Sequence, residues 1–155
     1  MSRFVVPIAG LVVVGLGVVL VVLRRSLVAV QINGSSMEPT YRSGDRVLVR
    51  RRSGGARVGE VVVIERPGSS GGWPTPPLDG DLHRRAWIIK RVVAAAGDPV
   101  PPEVAPALPA GAGATVPEGM VVVLGDAPGR SLDSRYIGFV PVGRILGTAL
   151  RRLPT

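Results

Sequence analysis

Residues 4–23, FVVPIAGLVVVGLGVVLVVL, run for twenty positions without a charge or a strongly polar side chain. As a helix, such a run rises about 30 Å, the thickness of a bilayer's hydrocarbon core. Pro7 and three glycines within it suit a membrane helix better than a soluble one. Arg3 precedes the run, and Arg24 and Arg25 close it. A cleaved signal peptide has a shorter apolar region, about 7–15 residues, and ends at small residues in an A-x-A-like pattern. Here the run leads into RRSLVAVQ, where Leu27 stands two positions before Ala29 and spoils that pattern. The expectation is a retained N-terminal transmembrane anchor over 1–25, followed by a separate domain over 26–155.

That domain has no cysteine, which excludes disulfides and thiol catalysis. One histidine and scattered acids leave no plausible metal cluster, and no metal or organic cofactor is expected. The formal net charge is +8, with Arg24, Arg25, Arg42, Arg46, Arg50, Arg51 and Arg52 crowded after the apolar run. Stacking aromatics are scarce and no binding motif accompanies the charge, so nucleic acid is not expected as a partner. Anionic headgroups of the lipid bilayer are the simpler one.

Helical periodicity is hard to find beyond the apolar run. Short β-branched stretches recur instead, at 28–32, 46–50, 60–65, 87–94, 120–124 and 142–150, separated by glycine, proline, serine and aspartate. RVLVR alternates, whereas the continuous valine runs suit strands buried on both faces. The fold class expected is mainly β, a small all-β domain of short strands. Residues 68–85 and 98–119 are dense in glycine and proline and read as long surface loops or insertions.

Lys90, in WIIKRVV, is the only lysine among nineteen basic side chains. Arginine stays protonated at physiological pH, whereas a lysine in apolar surroundings can lose its proton and act as a base. On a strand, Ile88 and Val92 share its face, an apolar setting that lowers its pKa. A lysine whose stem merely snorkels to water is the ordinary alternative. After the first strand, NGSSMEPTYRSGD presents Ser36 in a glycine-serine turn, where a hydroxyl and backbone N–H groups can face a reacting carbonyl. Met37 beside it can line a pocket or meet a membrane surface. Taken alone, a serine-rich turn is usually only a turn.

Together these pieces resemble the type I signal peptidases, membrane-anchored proteases with a serine–lysine dyad. The family's first motif stands as Ser36-Met37-Glu38-Pro39-Thr40. Gly44-Asp45-Arg46-Val47-Leu48-Val49 and Gly59-Glu60-Val61-Val62-Val63-Ile64 match its following strands. The lysine motif is Lys90-Arg91-Val92-Val93 with Gly97-Asp98. The last is Gly125-Asp126 with Ser131-Leu132-Asp133-Ser134-Arg135 and Gly138.

The resemblance implies that Ser36 is the nucleophile, Lys90 the general base and Ser131 the group that orients the lysine amine. It further implies that Asp133 and Arg135 pin their segment, that Asp126 is a supporting acid, and that the Ser36 backbone N–H belongs to the oxyanion hole. Met37 is a candidate for substrate binding. The substrate class would be signal-peptide-bearing exported precursors, cut after a small residue. The catalytic domain of a single-pass membrane protein would lie outside the cytoplasm, although the arginines following the run pull the other way. Ala127 replaces an asparagine usual after the late Gly-Asp, and Ala94-Ala95-Ala96 replaces a usual Gly-x-Pro.

Two other readings are compatible with the residues. A dedicated maturation or conjugation-type peptidase uses the same dyad on one substrate. A membrane-tethered β domain that binds without cutting has no need of a deprotonatable amine. His83, among charges in DGDLHRR, reads as a solvated loop residue rather than a member of a Ser–His–Asp triad.

Overall fold

The computed structural model describes residues 12–15, 17, 26–52, 54–68, 72–73, 85–108 and 113–154. Of the anchor expected over 1–25, positions 12–15 and 17 are helical and exposed, and the rest lies outside the described residues, as does His83. Among the described residues no helix is long and apolar enough to cross a membrane.

The β-branched runs become seven strands of one antiparallel sheet: β1 (Leu27–Gln31), β2 (Arg46–Arg51), β3 (Val61–Glu65), β4 (Trp87–Ala95), β5 (Met120–Leu124), β6 (Val140–Pro141) and β7 (Ile145–Leu153). Their spatial order is β1-β2-β7-β3-β4-β5-β6, so β7 is inserted between β2 and β3. β3 is buried along its whole length, Val61–Ile64 as an apolar run and Glu65 as a carboxylate paired with Arg85 and Arg144. β2 alternates, with Val47 and Val49 inward and Arg46 and Arg50 outward. The last strand starts three residues later than the sequence pattern suggests, because Val142–Arg144 forms a 3-10 turn in which the Val142 N–H donates to the Gly119 carbonyl.

Three apolar clusters hold the sheet. Val47, Val49, Val61, Val63, Ile89 and Leu146 pack with Ile32 and Met37 on one face. Val62, Ile64, Val92, Val121, Val123 and Ile145 form the second. The third is built by the segment 98–119, read from sequence as a surface loop or insertion and lying here as an insertion between β4 and β5. Val100, Val104, Ala105, Leu108 and Val116 are buried against Ala94 and Val122, a Pro99–Thr115 bridge closes the excursion, and Ala105–Ala107 adds a 3-10 turn. Proline and glycine broke the periodic pattern there, but apolar side chains spaced between them still found a sheet face to cover.

Candidate active site

Lys90 lies in the middle of β4, paired with Val62 of β3 across the sheet. Paired residues share a face, and alternation adds Ile88 and Val92, so the stem is wrapped in apolar side chains. The residue is only 2% exposed. Burial lowers the amine's pKa from 10.5 to about 8, against the opposing pull of the Asp133 and Asp126 carboxylates.

Ser36 arrives from the other end of the sheet. The loop after β1 is closed at its base where the Ile32 N–H donates to the Asp45 carbonyl and the Gly44 N–H to that of Ile32. A turn from Ser35 to Tyr41 carries Ser36 inward, with the Tyr41 N–H donating to the Met37 carbonyl. Met37 pins this loop. It is 1% exposed and packed among Ile32, Val47, Val63 and Ile89, core residues that also line the groove beside Ser36. An unbranched thioether fills such an irregular gap well.

The two arms meet where Lys90 reaches Ser36. Lys90 Nζ stands 2.8 Å from Ser36 Oγ and donates a second hydrogen bond, of 2.7 Å, to the Ile89 carbonyl. A neutral amine so placed has its lone pair in reach of the serine proton. The Ser36 backbone N–H has no hydrogen-bond partner among the described residues.

The segment after β5 passes directly beneath Ser36. The Ala127 N–H donates to the Ser36 carbonyl at 3.0 Å. The tether therefore runs through backbone, and the alanine that replaces an asparagine leaves it in place. Gly125 is packed so closely that an added Cβ would lie 2.1 Å from Ser131 Oγ and 2.6 Å from the Ser36 carbonyl oxygen.

Two carboxylates brace this segment. Asp133 is fully buried and accepts from the Gly125 N–H at 2.9 Å and from the Arg135 guanidinium. Desolvation disfavours its charge, but the Arg135 guanidinium, the nearby Ser131 hydroxyl and the backbone N–H groups hold its pKa below the ordinary carboxylate value. Asp133 also caps the helical turn Ser134–Ile137, in which Ser134 Oγ accepts from the Val123 N–H of β5. Asp126 takes both arms of Arg91, at 2.9 and 2.7 Å, and accepts from the Thr40 hydroxyl. Hydrogen bonding to Arg91 is the main reason its pKa is lowered.

Ser131 is buried beside these groups, but its Oγ has no hydrogen-bond partner, and none runs from it to Lys90. It lies near enough to Asp133 to favour that carboxylate's charge without meeting the geometry of a hydrogen bond. Thr40 and Arg91 are the site residues that sequence reasoning missed. Arg91 follows Lys90 and points to the opposite face, so its adjacency to the base gave no hint that it clamps Asp126.

Alongside Ser36 lies a shallow groove, open to solvent and lined mainly by Val30, Ile32, Trp87, Ile88 and Ile89. Three strands separate β1 from β4 in the sheet, so their meeting across one groove reports the sheet's curl. Among the described residues no cluster of histidines and acids is arranged to hold a metal ion.

The family described as signal peptidase, peptidase S26, matches residues 4–104 and 103–153. The chain is 32% identical over 140 residues to a probable signal peptidase I-2 of Synechocystis, covering 78% of this chain and 60% of that protein. It is 33% identical over 161 residues to a probable signal peptidase I-1 of the same organism, covering 86% of this chain and 76% of the relative. A signal peptidase I from Enterococcus faecalis of known structure shares 22% identity over 63% of this chain and 98% of that one, with a TM-score of 0.40, too loose a superposition to bear weight. On the family match and the two Synechocystis relatives, the chain belongs to the signal peptidase family, peptidase S26.

Proposed function

We propose that the protein is a membrane-anchored serine endopeptidase that removes signal peptides from exported precursors, with residues 1–25 as a single-pass anchor and 26–155 as the peptidase domain on the extracytoplasmic side. The observation that carries this reading is the 2.8 Å approach of a buried lysine amine to the hydroxyl of Ser36. A binding module has no use for a lysine held where its proton is easily lost.

In the reaction, neutral Lys90 takes the Ser36 proton as Oγ adds to the scissile carbonyl. The oxyanion that forms is met by the Ser36 backbone N–H. Collapse breaks the peptide C–N bond, Lys90 returns the proton to the departing amine, and an acyl-enzyme remains on Ser36. Water, deprotonated by Lys90, then releases the acid and restores the hydroxyl. Ser131 makes no hydrogen bond to the amine in the free protein, and its role as orienting third member of a triad begins once substrate is bound. Asp133 with Arg135, and Asp126 with Arg91, keep the segment beneath Ser36 in place. The precursor's small residues lie in the groove between Val30 and Ile88, and the anchor raises the local concentration of membrane-held substrate.

The test is cleavage of a detergent-solubilised precursor bearing an A-x-A site by the native protein and by Lys90→Arg. Arginine keeps the charge but cannot act as a base. A loss of roughly a hundredfold or more in kcat, with the fold intact, is expected. Equal cleavage by both proteins places the base elsewhere and overturns the mechanism. If neither cuts this precursor, the general signal-peptidase reading falls.

A further inference from the structure

Glu65 is 1% exposed, yet it is a carboxylate ending a strand of valines and isoleucine. Arg85 donates to its Oε1, and Arg144 donates to its Oε2 at 2.8 Å. Both guanidiniums lie on side chains that are themselves mostly buried, 13% and 11% exposed. The three charges come from three separate places in the chain. Ile64 pairs with Ile145, so the register brings Arg144, at the end of the 3-10 turn before β7, opposite Glu65. Arg85 stands two residues ahead of β4, and Glu65 pairs directly with Trp87 on that strand.

Pairing and alternation decide what this cluster adjoins. Glu65 shares a face with Val63, two positions back along β3, and with Trp87 across the ladder. Val63 and Trp87 both line the groove beside Ser36. Trp87 lies three residues before Lys90, about 10 Å along an extended strand, so it bounds the groove at the end away from the amine. The ionic cluster therefore adjoins that far end, next to the groove's largest lining side chain.

Stability does not account for three buried charges. Ions lose about as much on leaving water as they gain from one another, and apolar side chains of equal volume often hold such a place at least as well. What the ions add is geometry. A carboxylate gripped by two guanidiniums has directional bonds to satisfy, which aliphatic packing lacks.

We infer that Glu65, Arg85 and Arg144 form a positioning network that fixes the Trp87 ring as a wall, limiting the size of the substrate side chain admitted at that end of the groove. The inference rests on the peptidase reading and adds to it three residues that act through Trp87 rather than on the reacting atoms. By distance along the strand, the side chain admitted there is the third before the cut.

The chain holds two tryptophans, and Trp73 packs against the second apolar cluster, away from the groove. Trp73→Phe therefore leaves Trp87 as the single fluorescent reporter in the full chain. In that background, Glu65→Gln is compared with a triple variant of similar volume, Glu65→Leu with Arg85→Met and Arg144→Met. Emission, acrylamide quenching and the denaturant midpoint are measured for each. Both are also assayed on two detergent-solubilised precursors, one bearing A-x-A and one with leucine in place of its first alanine. Trp87 emission should shift to the red and quench more readily in both variants. Preference for alanine over leucine should fall about tenfold, through KM rather than kcat. The triple variant should show this with its midpoint unchanged or raised, which a merely structural role would not produce. Native fluorescence and native preference in the triple variant overturn the inference and leave the cluster as packing. A changed preference with unmoved fluorescence overturns it too, because the effect then bypasses the ring. Moved fluorescence with native preference overturns the wall. If the parent chain cuts neither precursor, the peptidase reading falls and the wall with it, while the fluorescence still decides whether the cluster fixes the ring.

Discussion

Arg91 grips both carboxylate oxygens of Asp126 from the strand position next to Lys90, so one strand turns the buried amine to one face and the clamp on the loop beneath Ser36 to the other. Lysine at 91 keeps the charge but loses the two-armed geometry. Arg91→Lys is expected to lower kcat by about tenfold or more, since a hydrogen bond to a charged group contributes roughly 1.5–3 kcal/mol. Asp126→Asn should do something further. The Asp126 charge raises the Lys90 pKa, so its removal should move the acid limb of the pH–rate profile to lower pH. An unmoved limb would show that Asp126 acts through structure alone.

The base proposed here, Lys90, can accept a proton only when neutral. With its pKa near 8, kcat/KM should rise about tenfold per pH unit below that value and level off above it. A pH–rate profile of the native protein checks this, and a plateau already reached at pH 6 would contradict it.

The same lowering has a signature in stability. Between about 8 and 10.5 the unfolded chain holds the Lys90 proton and the folded chain does not. Stability from this group therefore rises with pH across that window, and the cost of burying the charged amine is present in full below it. Lys90→Met should stabilise the inactive protein at neutral pH by up to roughly 3 kcal/mol, and the gain should vanish near pH 10.5. Denaturant unfolding of both proteins at neutral and alkaline pH measures the difference.

Gly125 has no room for a methyl group, because its nearest neighbours are Ser131 and the Ser36 carbonyl. One of these is backbone and cannot swing aside. Gly125→Ala should cost about 1–3 kcal/mol of stability and displace Ser36 from Lys90, with a larger loss of kcat than of folding. Wild-type activity in this variant would mean that the segment after β5 yields freely.

Ser131 offers the opposite dissociation. Its Oγ is buried without a hydrogen-bond partner, so Ser131→Ala should leave the midpoint of unfolding within about 1 kcal/mol of the native value. If the hydroxyl orients the Lys90 amine during the reaction, kcat should still fall at least tenfold, with KM little changed. Parallel loss of stability and activity would assign it to packing instead.

Much of this was legible before any coordinates. Valine-rich runs marked β1 to β5 within a residue or so, because strand formation is written in local side-chain shape. A lone lysine in an apolar run marked the candidate base, because its chemistry is intrinsic to the residue type. The packing of 98–119 was not legible, since proline and glycine hide where a chain folds back on a distant sheet. The burial of Met37 was not legible for a related reason: its gap in the core lies between strands that only the fold brings together.

The sequence alone determined which groups are available for chemistry: one deprotonatable amine, a serine in a turn, and acids and arginines in fixed order. Tertiary structure decided what each is for. The curl of the sheet brings residues 36 and 90 within 2.8 Å and assigns Arg91 to Asp126 rather than to solvent. Burial in the folded interior, absent from any short segment, lowers the amine's pKa toward neutrality. Residue types set intrinsic chemistry, whereas distance and desolvation exist only once the whole chain has packed.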